Sequence, residues 1–305
     1  MKNIPSDVRT LLEEQFRLDS AVSDGVKGKK RDTRKILVRF QDGQEVEVVF
    51  IPTRSRKTVC VSSQAGCRFN CSFCASGQAG FSRDLSAGEI VGQVLLAAHL
   101  FDEKPTHVVF MGVGEPFDNY DSVLKAVRIL NDGDGLEIGA RRITISTCGI
   151  IPGIRRLSNE GIQVELSVSL HAATGGLRSD LMPVNRAYPL DLLIDVCRTY
   201  SEKTNRIITF EYILIAGVND SAQDAGNLAR LLAPLKCRVN LLLLSAVSEY
   251  QGCASTERAV EMFVRTLYRA GINATMRHSR GSSSNSACGQ LRYVSSSLGV
   301  RQAPS

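Results

Sequence analysis

Three cysteines stand in the run Cys67-Arg-Phe-Asn-Cys71-Ser-Phe-Cys74, a C-x3-C-x2-C array. Thiolate is a soft ligand that suits iron–sulfur clusters and zinc. A structural zinc takes four ligands, usually from two paired motifs. The sequence has no second C-x-x-C and no H-x3-H to complete such a set. Three thiolates on a cubane [4Fe–4S] cluster instead leave one iron without a protein ligand, open to a substrate. The spacing therefore points to a cluster, with structural zinc as the alternative.

Other residues are placed to do chemistry near this array. Gly112-Val-Gly-Glu-Pro116 follows a strand-like run but lacks the spacing of a dinucleotide fingerprint. Its glycines let a backbone approach a ligand closely, and Glu115 can accept hydrogen bonds from an ammonium group. Ser146, Ser169 and His171 stand at the ends of strand-like runs as donors or acceptors. Cys288 lies in a polar, small-residue stretch, where a thiol is free to react; an incidental surface thiol is the alternative. Cys60 is not needed by the array, and its ordinary role is that of a buried strand cysteine. Cys148, Cys197, Cys237 and Cys253 belong to no motif and read as core or incidental residues. Glu45 and Glu47 share one face of a strand, expected to be a solvated edge. Residues 25–35 form a basic run, either a solvated linker or a phosphate-binding segment.

The elements that must hold these residues alternate. Strand-like runs cover 59–63, 106–111, 142–147, 164–170, 207–214, 239–244 and 272–277. Helix-like runs fall between them at 86–101, 120–130, 190–204, 221–235 and 256–270, and Ser86 with Glu89 makes a capping box. Repeated βα units predict a parallel sheet, doubly wound or a full or partial barrel. In a barrel, chemistry sits at the C-terminal ends of strands. The cysteine array, Gly112–Pro116, Ser146–Gly149 and Ser169–His171 all fall there. Upstream, residues 1–24 read as helical, and Ile36–Phe40 with Glu45–Phe50 read as a hairpin around Asp42-Gly43. The 305 residues accommodate one large α/β barrel with a small appendage, or two modest domains. The hydrophobic fraction of 43% supports a sizeable core. No run approaches the roughly 18 apolar residues of a membrane span. Nine cysteines without an apolar leader argue for a reducing, cytoplasmic setting. The net charge of +6 is compatible with a nucleic-acid partner but does not establish one.

From about Asp42 to Leu291 the chain resembles the RlmN/Cfr family of radical S-adenosylmethionine (radical SAM) RNA methyltransferases. The resemblance rests on Cys60-Val-Ser-Ser-Gln-Ala-Gly-Cys67, Cys71-Ser-Phe-Cys74, Gly80-Phe-Ser-Arg83, Met111-Gly-Val-Gly-Glu-Pro116, Ser169-Leu-His-Ala172, Gly217-Val-Asn-Asp220 and Ala287-Cys-Gly-Gln-Leu291. It implies a partial (βα)6 barrel with a small N-terminal helical and hairpin extension. The implied division is an N-terminal region over 1–52, a core barrel over 53–287 and a C-terminal loop and tail over 288–305. Cys67, Cys71 and Cys74 would hold the [4Fe–4S] cluster. Gly114, Glu115, Ser146, Ser169, Leu170 and His171 would bind S-adenosylmethionine. Cys288 would carry a methyl group, Cys60 would be its transient disulfide partner, and Glu47 would accept a proton, a role the family pattern leaves open between Glu47 and Cys60.

The implied chemistry accounts for the parts. C2 or C8 of adenine is not a nucleophile, so one S-adenosylmethionine first methylates the Cys288 thiolate by displacement. A second is cleaved to a 5′-deoxyadenosyl radical that takes hydrogen from the S-methyl group, and the resulting carbon radical adds to the base. Cys60 then closes a disulfide with Cys288 and expels the product. The expected substrate is an adenosine in 23S rRNA, methylated at C2, with tRNA as a further target and C8 methylation as the runner-up. An electron donor such as flavodoxin or ferredoxin is implied, and no membrane. A radical SAM redox enzyme and a metal-stabilised RNA-binding module are the rivals outside methyl transfer. Two departures from the family pattern stand out: Ser245 replaces an asparagine that touches S-adenosylmethionine, and the N-terminal region is short.

Overall fold

In the computed structural model, residues 5–15, 21–28, 32–248, 250–277, 290–291 and 293–294 are described. The chain begins with α1 (Ser6–Gln15), followed by β1 (Val22–Lys27), β2 (Arg34–Arg39) and β3 (Glu45–Pro52). These strands pair antiparallel and in sequence, β1 on β2 and β2 on β3. β4 (Lys57–Val61) joins β3 antiparallel and begins the parallel part of the sheet. Then come β5 (Gln64–Gly66), α2 (Ala75–Gln78), β6 (Phe81–Asp84) and α3 (Ala87–Phe101), and after them β7 (His107–Phe110) and α4 (Tyr120–Asn131). β8 (Ile143–Thr147), α5 (Ile151–Leu157), β9 (Glu165–Ser169), α6 (Gly175–Leu181) and α7 (Leu190–Thr204) continue the alternation. β10 (Ile208–Leu214), α8 (Ala222–Leu232), β11 (Cys237–Leu243), α9 (Glu257–Arg269) and β12 (Asn273–Arg277) complete it, and β13 (Tyr293–Val294) returns to pair with β3.

The strands β4, β7, β8, β9, β10, β11 and β12 are parallel neighbours in that order. Six βα units followed by a last strand form the parallel sheet expected from the alternation of patterns, and agree with the partial (βα)6 barrel that the family resemblance implies. Two of the helices begin with a capping box. Ser86 accepts from the Glu89 amide while the Glu89 carboxylate accepts from the Ser86 amide, and Ser221 with Asp224 repeats the device on α8. The seven residues of β10 are all buried, as a strand covered on both faces requires. Among the described residues, no helix is long and apolar enough to cross a membrane.

Two upstream expectations change. The basic run does not begin as a linker: Val22–Lys27 is a strand, with Lys27 in register with Lys35. Lys29, Lys30 and Arg31 lie outside the described residues. β3 is not a solvated edge but lies between β2 and β4, and the Glu47 carboxylate pairs with Lys35 at 2.7 Å, both side chains largely buried. The β1–β3 layer is tied to the core by Arg34. Its guanidinium lies over the paired Phe50 and Phe101 rings, 3.7 Å from the Phe101 ring centre, and donates to Glu103 at 3.1 Å.

Candidate active site

The chain leaves β4 into a loop closed by the β5–β6 pair, and the three cysteines sit inside that loop. The Cys67 amide donates to the Gly80 carbonyl at 2.8 Å, the Cys74 amide to the Cys71 carbonyl at 3.1 Å, and the Ser72 amide to the Leu181 carbonyl at 3.0 Å. The loop is thereby bonded both to its own hairpin and to α6. Cys67, Cys71 and Cys74 all line one cavity at the C-terminal ends of the parallel strands.

Burial pushes the Cys67 thiol up to about 12, and the neighbouring Cys74 and Glu115 charges add to the effect. Cys71 is raised well above its ordinary value by burial, then by Cys74 and Cys67. Thiols that resist ionisation as Cys67 and Cys71 do need a nearby cation to become thiolates, and the irons of a cluster would supply it. Among the described residues no group of three His, Cys, Asp or Glu is arranged to hold a single metal ion. Corner ligands of a cubane each take a different iron and stand farther apart, so the donor set fits a cluster better than zinc.

Opposite the cysteines, Ser62 and Gln64 stitch β4 to the loop after β7. The Val113 amide donates to Ser62 Oγ at 2.9 Å and the Glu115 amide to Gln64 Oε1 at 2.8 Å. Gly114 has φ +102°, and a Cβ there would stand 2.6 Å from the Gln64 Cβ, so only glycine fits. Glu115 is buried and lines the cavity. Its carboxylate accepts from the Phe117 amide at 2.9 Å and the Cys148 amide at 2.6 Å. Burial raises its pKa while those amides pull it down. The Thr147 and Cys148 side chains also hydrogen-bond it, and a cationic ligand in the cavity would meet its charge.

The strand ends complete the wall. Ser146, Ser169 and His171 line the same cavity. Leu170 does not: its side chain is fully buried in the core, and its amide donates to the Glu211 carbonyl. His171 sits at φ +55°, and its Nδ1 accepts the Ile213 amide at 3.0 Å. A neutral ring with Nδ1 accepting carries its proton on Nε2. Burial, then the charge of Arg178, depresses this histidine to about 3. Asn219, from the Gly217–Asp220 motif, donates to the His171 carbonyl at 2.8 Å.

Cys60 and Glu47 occupy the cavity-facing side of the sheet. Cys60 is in register with Val109, and Val109 with Thr144, two residues before Ser146. Directly paired residues, and residues two apart on one strand, share a face. Val49 is in register with Cys60 across β3, which puts Glu47 on that side as well. Cys60 is nevertheless only 6% exposed and does not itself line the cavity. Cys288 lies outside the described residues. Gln290 and Leu291, two and three positions further on, are fastened at the cavity: Gln290 Nε2 donates to the Ala246 carbonyl at 2.9 Å, the Leu291 carbonyl accepts from Ser76 at 2.7 Å, and Leu291 lines the wall. Ser245 is half-buried and is not a lining residue.

Three site residues escape a reading of the sequence. Cys148, expected to be a core or incidental residue, is buried in the core and also lines the cavity, where its amide holds Glu115. Glu211 lines it too, with its carboxylate accepting from Ser167 at 3.3 Å and Asn240 at 2.9 Å. Its signal is a glutamate inside an otherwise apolar strand. Arg178 is fully buried behind the wall, and nothing in its local sequence announces it.

Residues 61–229 match the radical SAM superfamily. Over 295 residues the chain is 45% identical to the probable dual-specificity RNA methyltransferase RlmN of Staphylococcus haemolyticus, covering 96% of this chain and 81% of the relative. It is 43% identical over 299 residues to the protein of the same description from Clostridium perfringens, covering 97% and 86%. The crystal structure of a radical SAM methyltransferase from Sphaerobacter thermophilus superposes with a TM-score of 0.92 at 44% identity, over 95% of this chain and 86% of that one.

Proposed function

Because this chain belongs to the radical SAM superfamily and, within it, to the RlmN family of RNA methyltransferases, we propose that it methylates C2 of an adenosine in 23S rRNA, and in tRNA as well, in the cytoplasm. The carrying observation is the convergence on one cavity of three cluster-type cysteines, a buried carboxylate and two strand-end serines. The dual specificity in the relatives' descriptions supports two RNA substrates.

The family implies a [4Fe–4S] cluster and S-adenosylmethionine; the bound cluster supplies the electron that cleaves S-adenosylmethionine, and flavodoxin or ferredoxin is the class of donor. Cys67, Cys71 and Cys74 hold the cluster. Glu115 takes the ammonium of the cofactor's methionine end, and Gly114 lets the backbone come close beside it. Ser146, Ser169 and His171 line the remainder of its berth, with the His171 Nε2 proton available for donation. Cys288 accepts a methyl group from one of the two S-adenosylmethionine molecules used per turnover. Cys60 closes a disulfide with Cys288 to release the methylated RNA. Glu47, held by Lys35 on the same face as Cys60, accepts the ring proton.

The test is nucleoside mass spectrometry of rRNA and tRNA incubated with the cluster-loaded enzyme and methyl-labelled S-adenosylmethionine. Label in 2-methyladenosine from both RNAs is expected. Label in 8-methyladenosine would move the reaction to the other ring carbon, and no labelled nucleoside would exclude methyl transfer to RNA.

A further inference from the structure

Arg178 is a cation in the wrong place for an isolated side chain. It is fully buried on α6. Its Nη2 donates to the Cys148 carbonyl at 2.7 Å and the Ser169 carbonyl at 3.1 Å, and its Nη1 to Asn185 Oδ1 at 3.0 Å. Among the described residues its Nε has no partner. Every one of these acceptors is neutral, and the titratable groups nearest it are thiols: Cys148 first, then Cys71 and Cys197. A buried guanidinium without a counter-ion costs several kcal/mol and ordinarily acquires a carboxylate. Here Cys148 and Ser169 are both wall residues of the cavity, and α6 is bonded directly to the cysteine loop through Ser72 and Leu181. The guanidinium thus stands immediately behind the part of the wall formed by Cys148 and Ser169, in the cavity that the three cysteines also line.

We propose that Arg178 is the buried counter-charge of the cluster held by Cys67, Cys71 and Cys74, and that its fixed charge raises the cluster's reduction potential. This rests on the cluster assignment made above. A cubane with thiolate ligands is net anionic, and one-electron reduction makes it more so. A cation in a low-dielectric wall therefore favours the reduced form. Arg178 makes no contact with cofactor or substrate; it acts through the field it sets at the ligands.

The experiment is a redox titration of the anaerobically reconstituted full chain with dithionite, followed by electron paramagnetic resonance. Iron content and Tm are measured alongside. Arg178→Met removes the charge. Asn185→Asp keeps the guanidinium but gives it a carboxylate at the position of its present amide acceptor. Arg178→Lys keeps the charge without the forked hydrogen bonds. Met and Asp are expected to shift the midpoint to more negative potential, with Lys staying nearer the wild type. A purely structural role instead lowers Tm and leaves the midpoint in place. Should Arg178→Met fail to load iron, Asn185→Asp decides: loaded, folded and unshifted, it overturns the proposal. A wild-type chain that binds no cluster would instead overturn the cluster assignment itself.

Discussion

Asn219 clamps His171. Its Nδ2 donates to the His171 carbonyl at 2.8 Å and to the Ile213 carbonyl at 2.7 Å, while its Oδ1 takes the Ile215 amide at 2.7 Å. One fully buried amide thus joins the ends of β9 and β10 and holds His171 in a left-handed conformation that costs a non-glycine residue energy. Asn219→Ala leaves buried backbone groups unpaired and should destabilise the fold by about 2–4 kcal/mol. Urea unfolding measures this. Because His171 is then released, S-adenosylmethionine affinity should fall as well; a variant with wild-type stability and affinity would remove Asn219 from that role.

The cluster assignment predicts a brown, oxygen-sensitive protein with about four irons per chain after anaerobic reconstitution. Replacing Cys67, Cys71 and Cys74 together by alanine should abolish iron and labile sulfide binding. A triple variant retaining a full cluster would sink the assignment.

The cysteine pair should fail in two different ways. Cys288→Ala has no thiolate to methylate and should form no RNA adduct. Cys60→Ala still permits methylation of Cys288 and addition to the base, and should stall as a covalent protein–RNA complex. Denaturing gels with labelled RNA, followed by peptide mass spectrometry, separate the two. Cys60 is buried in the sheet beside Val49 and Val109, so a merely structural role would show as lower stability without adduct. Normal turnover by Cys288→Ala would exclude the mechanism.

RNA binding should weaken steeply with salt. Lys27 is exposed at the end of β1, opposite Lys35, whose charge Glu47 already meets, so Lys27 is the one of the two placed to meet a phosphate. Neutralising Lys27, Lys29, Lys30 and Arg31 should lower the magnitude of the log–log salt slope by roughly 0.7–0.9 for each RNA phosphate that is no longer paired with a cation. An unchanged slope and affinity would leave the run without a role in binding.

Glu103 carries an acid-sensitive part of the stability. Its hydrogen bond to Lys57, joined by one from Arg34, holds its carboxyl below the usual range. A carboxylate with a depressed folded pKa contributes above its unfolded value, near 4.5, and loses that contribution as pH falls through the folded pKa. Glu103→Gln removes the charge facing the buried Arg34 and should cost about 1 kcal/mol at pH 7, discounted because Glu103 is partly solvated. The gap between variant and wild type should begin to narrow below about pH 4.5 and vanish below the folded pKa. Denaturant midpoints followed from pH 7 down into strong acid test this, and a gap that never narrows would refute it.

Local pattern alone determined a good deal of this protein. The C-x3-C-x2-C spacing is covalent and needs no fold to be read. The βα alternation, the Ser86–Glu89 capping box and the Asp42-Gly43 hairpin depend on periods of two to four residues, so they were legible in order. Tertiary structure decided what lies between distant segments. Strand pairing set Cys60 and Glu47 on the cavity side of one sheet, and it turned β3 from an expected edge into an interior strand. The Leu170 side chain went into the core because alternate residues of a strand and its exit turn face opposite ways, a one-residue difference that motif resemblance does not resolve. Cys148, Glu211 and Arg178 became part of the site, or its support, through partners that include Glu115, Ser167 and Cys148 respectively, 30 to 44 residues away along the chain. Their cause is non-local: a buried polar group is tolerable only where the fold supplies a partner, and the sequence does not display which partner that is.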